Sequence, residues 1–222
     1  MRRPVLAFDF DNTLTAGDVL DEIVEKFSPN EDWKTWEREW VEGRLPAREC
    51  LRLQVENLRV TREKMFAHLD SVPVDPAFPA ILRWARARQV EVLIVSDSFL
   101  PLIQRILLAN SVEGVPVFAN GLELSGDRMK PSFPFHDPAF PRSANAKAKH
   151  LAPYAGNTVI FAGDGRSDLD AALAADIVFA KDSLAQDLAT RGVSFHAFTT
   201  LAPMLEFLQS LEQDFPRLRK AS

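Results

Sequence analysis

The chain has 222 residues, 46% hydrophobic and 26% charged, a composition typical of a globular protein large enough to bury a core. Its formal net charge of −5 leaves no basic footprint for nucleic acid, so we expect no nucleic-acid partner. No apolar run approaches the roughly 18–20 residues that cross a bilayer, so we expect no membrane partner.

The N-terminus and the cysteine content predict a cytoplasmic protein. Residues 1–4 lead into a short apolar stretch that runs straight to Asp9, which is unlike a secretory signal. Cys50 is the only cysteine, so no disulfide can form within the chain. A reducing compartment is therefore the expected setting.

Short apolar segments alternate with helical segments along most of the chain. Strands are predicted over residues 5–10, 90–95, 158–162, 177–180 and 193–197, and helices over roughly 77–89, 100–110, 144–152, 168–175 and 183–191. This alternation predicts an α/β fold with a doubly wound, mainly parallel, Rossmann-like sheet. Ligands of such sheets bind outside the carboxyl ends of the strands.

Residues 16–75 differ from the rest, because they are rich in helix formers. Helices are predicted from Val19 to Phe27, Trp33 to Val41, Pro46 to Leu58 and Arg62 to Leu69. Trp33, Trp36 and Trp40 share one helix face, which favours a packed helical core over base stacking or a cofactor site. The predicted organisation is a core of residues 1–15 and 76–222 with a helical insert at 16–75, placed to act as a lid.

The C-terminal half contains a small β excursion at 115–136. Residues 115–119 and 121–124 are predicted strands, 125–128 a turn, and the proline-rich stretch 131–141 a rigid loop. A last amphipathic helix is predicted from Ala202 to Leu211, and residues 216–222 are expected to fray.

Three aspartates follow two of the apolar strands. Asp9 and Asp11 close the first strand, and their spacing of two points both carboxylates to one side. Asp164 closes the strand at 158–162. Each motif alone is compatible with a simple turn. Together, at the ends of separate buried strands, the acids favour a hard divalent cation such as Mg²⁺ with a phosphate.

The sequence resembles the haloacid dehalogenase-like hydrolase superfamily. Its motifs match Asp9-Phe10-Asp11-Asn12-Thr13, then Ser96, Lys147, and Gly163-Asp164 with Asp168, in the order that the family has them. The resemblance implies that Asp9 attacks phosphorus and that Asp11 serves as general acid and then base. It also implies that Mg²⁺ is held by Asp9, the Asp11 backbone carbonyl and Asp164, with Asp168 supporting the metal site or holding the lysine.

The same resemblance implies a phosphate-binding set of Ser96, Asp97 and Lys147. Two lysines compete for the last position: Lys147 precedes a leucine by four residues as in the family, and Lys149 is the alternative. For Asp97, capping of the following helix and attraction of a cationic head group are both open. His136 is compatible with the pocket or with loop packing. His68, His150 and His196 are expected to be structural or surface residues.

The helical insert resembles the C1 cap of the subgroup that contains phosphoserine phosphatase. Asp18 falls where that enzyme carries a glutamate that reads the substrate amino group. Gln54 falls where it carries the arginine that binds the substrate carboxylate, and an amide cannot form that charge-assisted fork. Arg52 could replace it only in a different register. Phosphoserine is therefore disfavoured.

The predicted function is an Mg²⁺-dependent phosphomonoesterase, monomeric or homodimeric, that acts on a small phosphorylated metabolite. Ser96-Asp97 and the later Pro134-Phe135-His136 resemble the phosphoethanolamine/phosphocholine and pyridoxal phosphate phosphatases of the superfamily, and the overall layout resembles its methionine-salvage phosphatases. This resemblance implies phosphoethanolamine, phosphocholine, pyridoxal phosphate and a methionine-salvage intermediate as the substrate alternatives. The rivals are a phosphotransferase or mutase with the same aspartyl phosphate, and a non-catalytic binding protein of this fold.

Overall fold

The structure is a computed structural model that describes residues 3–211, and these form a seven-stranded sheet flanked by helices. The strands are β1 (Pro4–Phe8), β2 (Glu91–Phe99), β3 (Val117–Ser125), β4 (Arg128–Ser132), β5 (Thr158–Gly163), β6 (Ile177–Ala180) and β7 (His196–Ala197). Their order is β4-β3-β2-β1-β5-β6-β7, and only the β3–β4 pair within this described sheet is antiparallel. The predicted α/β fold is confirmed. The fraying expected at 216–222 lies outside the described residues.

Four helices follow β1 in the sequence: α1 (Val19–Phe27), α2 (Asp32–Val41), α3 (Ala47–Asn57) and α4 (Arg62–Leu69). They follow the predicted bounds within one residue. The later helices are α5 (Phe78–Ala87), α6 (Leu100–Ala109), α7 (Lys147–Leu151), α8 (Leu169–Ala174), α9 (Asp182–Thr190) and α10 (Ala202–Ser210). Two short 3₁₀ helices cover Ala152–Tyr154 and Arg166–Asp168. No helix among residues 3–211 is long and apolar enough to cross a membrane.

The central strand β1 is buried on both faces, which explains its continuous apolar sequence. Leu6 and Phe8 belong to one hydrophobic cluster, and Val5 and Ala7 belong to another. The first cluster continues into α1, α3 and α4 through the residues Val19, Leu20, Ile23, Val24, Val55, Met65 and Leu69. The helical segment therefore shares one apolar core with a face of the sheet.

Several predictions of strand bounds were wrong. The strand expected at 90–95 continues to Phe99, and β4 covers residues 128–132, across the end of the predicted turn and the start of the predicted loop. Residues 117–125 form one continuous strand, because β4 pairs with it from Gly121 to Ser125 and extends it beyond the expected break. The strand expected at 193–197 shrinks to His196–Ala197, since only these two residues reach the register of β6.

The tryptophan stripe forms a packed core only in part, because of its three members only Trp33 packs against the main apolar cluster of the described residues. None of the ten residues of α2, all of them described, is fully buried. Trp33, Trp36 and Trp40 are each half-buried. The helices α1, α3 and α4 supply the buried apolar residues instead, so α2 lies on the outside of the segment.

Candidate active site

The topology brings the predicted acids to one edge of the sheet. Strand β1 lies between β2 and β5, and both neighbours run parallel to it. Their carboxyl ends therefore meet, and residues that follow them in sequence become neighbours in space. Asp9, Asp11, Ser96 and Asp164 all lie at this edge, although Asp9 and Asp164 are separated by most of the chain.

A buried ammonium group lies inside the acid cluster. Lys147 Nζ is 2.8 Å from Asp9 Oδ1, 2.6 Å from Asp168 Oδ1 and 3.2 Å from Ser167 Oγ. Lys147 is only 2% exposed. Burial pulls the pKa of this ammonium down, but Asp168, Asp9 and Asp97 outweigh that effect and the net direction is well above its ordinary value. Lys147 therefore carries its charge throughout the physiological range.

Asp168 fixes the positions of Lys147 and of the turn after β5. Its Oδ1 pairs with Lys147, and its Oδ2 accepts the backbone N–H groups of Asp164 and Gly165, each at 3.0 Å. A side chain at Gly163 would place its Cβ 2.7 Å from Asp168 Oδ2, so only glycine permits this close approach. Both Asp168 oxygens are thus occupied by protein donors.

Asp164 is oriented by the turn that follows β1. Its Oδ2 accepts from Asn12 Nδ2 at 2.8 Å, and its Oδ1 accepts from Thr13 Oγ1 at 3.0 Å. Asn12 has a φ of 50°, a left-handed conformation that asparagine tolerates better than most residues. Asn12 and Thr13 therefore connect the two strand ends, beyond the local turn bonds that the sequence suggests.

The Asp11 side chain points away from the lysine, towards α1. Its Oδ1 accepts the Val19 N–H at 3.2 Å, and Ser98 also hydrogen-bonds to it. Burial, followed by repulsion from Asp18, raises the pKa of Asp11 well above its ordinary value. This environment favours the protonated form of the carboxyl group more than water does.

The acid cluster fits a divalent cation. Carboxylate oxygens of Asp9, Asp164 and Asp168 lie within 4.8 Å of one another. Burial, then repulsion from Asp168, raises the pKa of Asp9 and brings that of Asp164 to about 6. One ammonium cannot offset three carboxylates, and a bound cation would favour the charged forms of Asp9 and Asp164. Asp168 binds the Lys147 ammonium and accepts two backbone N–H groups, whereas each Asp164 oxygen accepts one neutral donor. Asp9 and Asp164 are therefore the carboxylates best placed to bind a cation.

Ser96 and Asp97 follow the predicted strand and lie within the last residues of β2, where they contact different groups. Ser96 is buried at the cavity, and its Oγ accepts the Ser98 N–H at 3.0 Å. Asp97 does not cap the next helix: α6 has Phe99 at its N-cap, without a side-chain bond. The Asp97 carboxylate instead accepts from Ser143 Oγ at 2.6 Å and from the Ala144 N–H at 2.8 Å, which draws it towards the loop before Lys147. Burial raises the pKa of Asp97.

The other lysine and the histidines lie away from the acids. Lys149, whose side chain is 60% exposed, pairs with Asp137. His136 is not among the described residues that line the cavity, and it lies in the loop after β4. His150 and His196 stack on Phe118 and Phe179, as expected for structural residues. His68 lies on α4 and contacts Lys26 and Glu22 on α1.

A cavity of about 110 Å³ opens above the acids, between the sheet edge and the helical segment. The lining residues are Asp9, Asp11, Asp18, Leu20, Asp21, Glu37, Trp40, Ala47, Cys50, Leu51, Gln54, Ser96, Asp97, Ser98, Lys147 and Ser167. Both predicted contacts from the insert, Asp18 and Gln54, are present. Arg52 is absent from the lining within the described residues, because it pairs with Glu49 and Glu56.

The cavity wall contributed by the helices is acidic. Asp18 caps α1 by accepting the Asp21 N–H at 2.9 Å, and Gln54 Nε2 donates to Glu37 Oε2 at 3.1 Å. Asp18 is an exposed residue of this wall. Desolvation of its carboxyl group, then repulsion from Asp21, raises the pKa of Asp18 to about 7. Lys147 is the only cationic side chain among the described lining residues.

Sequence reasoning missed four lining residues of clear chemical interest: Asp21, Glu37, Ser98 and Ser167. Ser98 could have been found, because it lies two residues after Ser96 on the same strand and shares its face. Glu37 gave no such signal, since α2 approaches the cavity only through tertiary packing.

Comparison with known proteins agrees with this geometry. The sequence model of the haloacid dehalogenase-like hydrolase family matches residues 6–173. A 2-hydroxy-3-keto-5-methylthiopentenyl-1-phosphate phosphatase of Brevibacillus brevis is 26% identical over 96% of this chain and 98% of its own. A polyol phosphate phosphatase of Saccharomyces cerevisiae is 25% identical over 95% of both chains. A structure of a phosphoserine phosphatase with a phospho-aspartyl intermediate analogue superimposes with a TM-score of 0.70, at 20% identity over 93% of this chain and 99% of that one.

The chain belongs to the haloacid dehalogenase-like hydrolase family, as its motifs and sheet order indicate. The prediction of an enzyme of the phosphatase class is confirmed at that level, because relatives that match almost the whole chain carry phosphatase names.

Proposed function

We propose that the protein is an Mg²⁺-dependent phosphomonoester hydrolase that acts on a small metabolite through an aspartyl phosphate. One observation carries this proposal: the Lys147 ammonium lies 2.8 Å from Asp9 in a buried cluster where Asp9, Asp164 and Asp168 converge within 4.8 Å. A nucleophilic carboxylate, a fixed positive charge and a cation-binding acid pair are what phosphoryl transfer requires.

In the first step an oxygen of Asp9 forms a bond to phosphorus and the ester P–O bond breaks. Asp11, whose environment favours the protonated form, donates its proton to the departing alcohol oxygen. In the second step Asp11 takes a proton from water, which attacks phosphorus and releases Asp9 and inorganic phosphate. Ser96 donates a hydrogen bond to the phosphoryl oxygens, and Lys147 offsets their charge.

The residues that would hold Mg²⁺ are Asp9, Asp164 and the Asp11 backbone carbonyl. When bound, the cation neutralises phosphoryl charge and fixes the orientation of the phosphate. Asp168 keeps Lys147 and the Asp164 backbone in place and stays outside the metal's own ligands.

We also propose that residues 16–75 act as a C1 cap over a core of residues 1–15 and 76–222. The chain leaves and re-enters the core at one point, where Thr15 bridges Val74 and the Asp75 N–H donates to Leu14 O at 2.7 Å. This arrangement suits a hinge, and the cavity between the two parts suits a lid that excludes water.

The acidic wall selects the substrate. Asp18, Asp21 and Glu37 face the region beyond the phosphate site, and Gln54 stands where a carboxylate-binding arginine would be. We propose a substrate without a carboxylate, whose remaining part carries hydroxyl groups or an amine. The names of the relatives, for a hydroxy-keto phosphate and for polyol phosphates, agree with this choice.

The first test is hydrolysis of p-nitrophenyl phosphate. We expect turnover with Mg²⁺ and none with a chelator. Asp9→Asn removes the nucleophile but keeps its shape, so kcat should fall by at least about a thousandfold. Asp32→Asn, an exposed isosteric change on α2, is the matched control and should retain full activity. Turnover retained by a folded Asp9→Asn variant would contradict the covalent mechanism.

The second test compares substrates that share the phosphate and differ in the attached group. Phosphoethanolamine and a polyol phosphate should have higher kcat/KM than phosphoserine, which adds a carboxylate facing Asp18, Asp21 and Glu37. Equal or better hydrolysis of phosphoserine would contradict the proposed wall. Cleavage of the donor ester that requires an added acceptor alcohol, with the phosphoryl group transferred to that alcohol and no inorganic phosphate released, would instead identify a phosphotransferase. Failure to trap a beryllium fluoride complex in the presence of Mg²⁺ would favour a binding protein.

A further inference from the structure

The segment that leads into Lys147 has no regular backbone structure. Residues 142–146 lie between β4 and α7, and the helix expected from residue 144 begins only at Lys147. Yet Ser143, Ala144, Asn145 and Ala146 are all at most 2% exposed. A buried loop must pair its polar groups through side chains, because water cannot reach them.

Asp97 anchors the start of this segment to the end of β2. Its two carboxylate oxygens accept from Ser143 Oγ and from the Ala144 N–H, at 2.6 and 2.8 Å. Asn120 Nδ2, on β3, donates to the Asp97 carbonyl at 2.6 Å. The loop is thereby tied to β2, at a residue whose backbone is also bound by β3.

Asn145, which follows Ala144 in the chain, is anchored by its own side chain. Its Nδ2 donates to the carbonyl oxygens of Ser96 and Phe118, each at 2.7 Å. Since carbonyls only accept, these contacts fix which end of the amide is which. Asn145 Oδ1 therefore faces His150 Nε2 at 2.9 Å, and that nitrogen must donate. His150 in turn stacks on Phe118.

Ala146 links the anchored asparagine to the lysine through an unusual backbone conformation. Its φ of 46° is left-handed, which costs energy in any residue with a Cβ unless the surroundings impose it. This residue sets the direction in which α7 starts, and Lys147 is the first residue of that helix.

We infer that Asn145, with Asp97 as its partner anchor, is a positioning residue that holds Ala146 left-handed and thereby places the Lys147 ammonium against Asp9. This assignment rests on the proposed function for its effect on turnover. Asn145 is fully buried and is not among the described residues of the cavity lining, so it acts through Lys147 and does not touch the substrate.

Chemical labelling tests the placement independently of activity. In the native protein Lys147 should resist acetylation, while the exposed Lys149 serves as an internal control on the same helix. Asn145→Ala should raise the Lys147 labelling rate by about tenfold or more, and leave Lys149 unchanged. The matched control is Asn110→Ala, which also loses an amide that donates to two carbonyls, those of Val72 and Ile106, and should leave Lys147 protected.

Kinetics test the consequence. Asn145→Ala should lower kcat about ten- to a hundredfold with KM nearly unchanged, because the displaced charge acts on the phosphoryl transition state. Adding Ala146→Gly should restore part of kcat, since glycine adopts the left-handed conformation freely. A role limited to general stability predicts no such rescue.

The outcomes separate the two proposals. A folded Asn145→Ala protein with Lys147 still protected and kcat unchanged would overturn the inference. If that variant does not fold, Asn145→Asp, which keeps the volume and loses both donors, replaces it under the same criteria. A wild-type protein without phosphatase activity, but with Lys147 exposed by Asn145→Ala, would sink the proposed function and leave the positioning role standing.

Discussion

Neighbouring groups give the site acids different surroundings. Asp11 accepts from Val19 N–H and Ser98 beside another acid, Asp18, and burial raises its pKa. Asp168 accepts from an ammonium and two backbone N–H groups. The same type of side chain thus faces another acid at one position and only hydrogen-bond donors at the other.

Asp18 gives a pH prediction at the residue scale. Its pKa is raised to about 7 by burial and then by Asp21. If Asp18 reads an amine, KM for phosphoethanolamine should fall as pH rises through about 7 and the carboxylate forms. Glycerol phosphate shares the phosphate ionisation but has no amine, so its KM should lack this component.

The matched variant is Asp18→Asn, because asparagine also caps helices and keeps α1 intact. It should abolish the extra pH dependence. An acid whose pKa is raised on folding favours the fold below its ordinary pKa of 3.8, and that contribution is lost as pH rises through about 7. Between pH 3.8 and about 7, the free energy of unfolding should therefore fall less for Asp18→Asn than for the wild type. Denaturant unfolding measures this difference. An unchanged pH profile in both assays would contradict the assignment.

Among the helices and strands, α2 is little buried and yet lines the cavity. It contributes no fully buried residue, but Trp40 and Glu37 line the cavity wall. We therefore expect the helix to contribute more to substrate contact than to stability.

Trp40→Ala tests this at the element scale. It should raise KM for the preferred substrate severalfold, and lower the free energy of unfolding by less than about 1 kcal/mol, because the side chain is only half-buried. Trp36→Ala, equally half-buried on the same helix but outside the described lining, is the control and should leave KM unchanged. A large loss of stability in Trp40→Ala with unchanged KM would assign that residue to packing.

For the whole molecule, the shared apolar cluster couples the helical segment to the sheet. Ile23, Val24, Met65 and Leu69 pack in the same cluster as Leu6 and Phe8. Parts that bury a common core unfold together, even where a hinge allows small movements between them.

We therefore expect one cooperative unfolding transition. Three of the four tryptophans lie on α2, and Trp84 lies on α5. In a Trp84→Phe protein, fluorescence reports only the helical segment, while circular dichroism reports all helices. The two denaturant curves should coincide, with the same midpoint and slope. Separate midpoints would show that the insert unfolds as an independent unit.

The sequence alone determined the α/β fold, the helices of the insert and the acids at the strand ends. These follow from local signals: apolar periodicity marks strands and helices, and parallel order brings strand ends to one edge. The preference for Lys147 over Lys149 came from family spacing, and only packing put one ammonium among the acids and the other in solvent.

Only the tertiary structure decided the role of Asp97, the face of the tryptophan helix and the membership of the acidic wall. The sequence left helix capping and attraction of a cationic head group open for Asp97, whereas its partners Ser143 and Ala144 are more than forty residues away in sequence. Hydrogen bonds and burial of this kind depend on which segments, distant in sequence, the fold brings together. No local sequence pattern encodes such contacts.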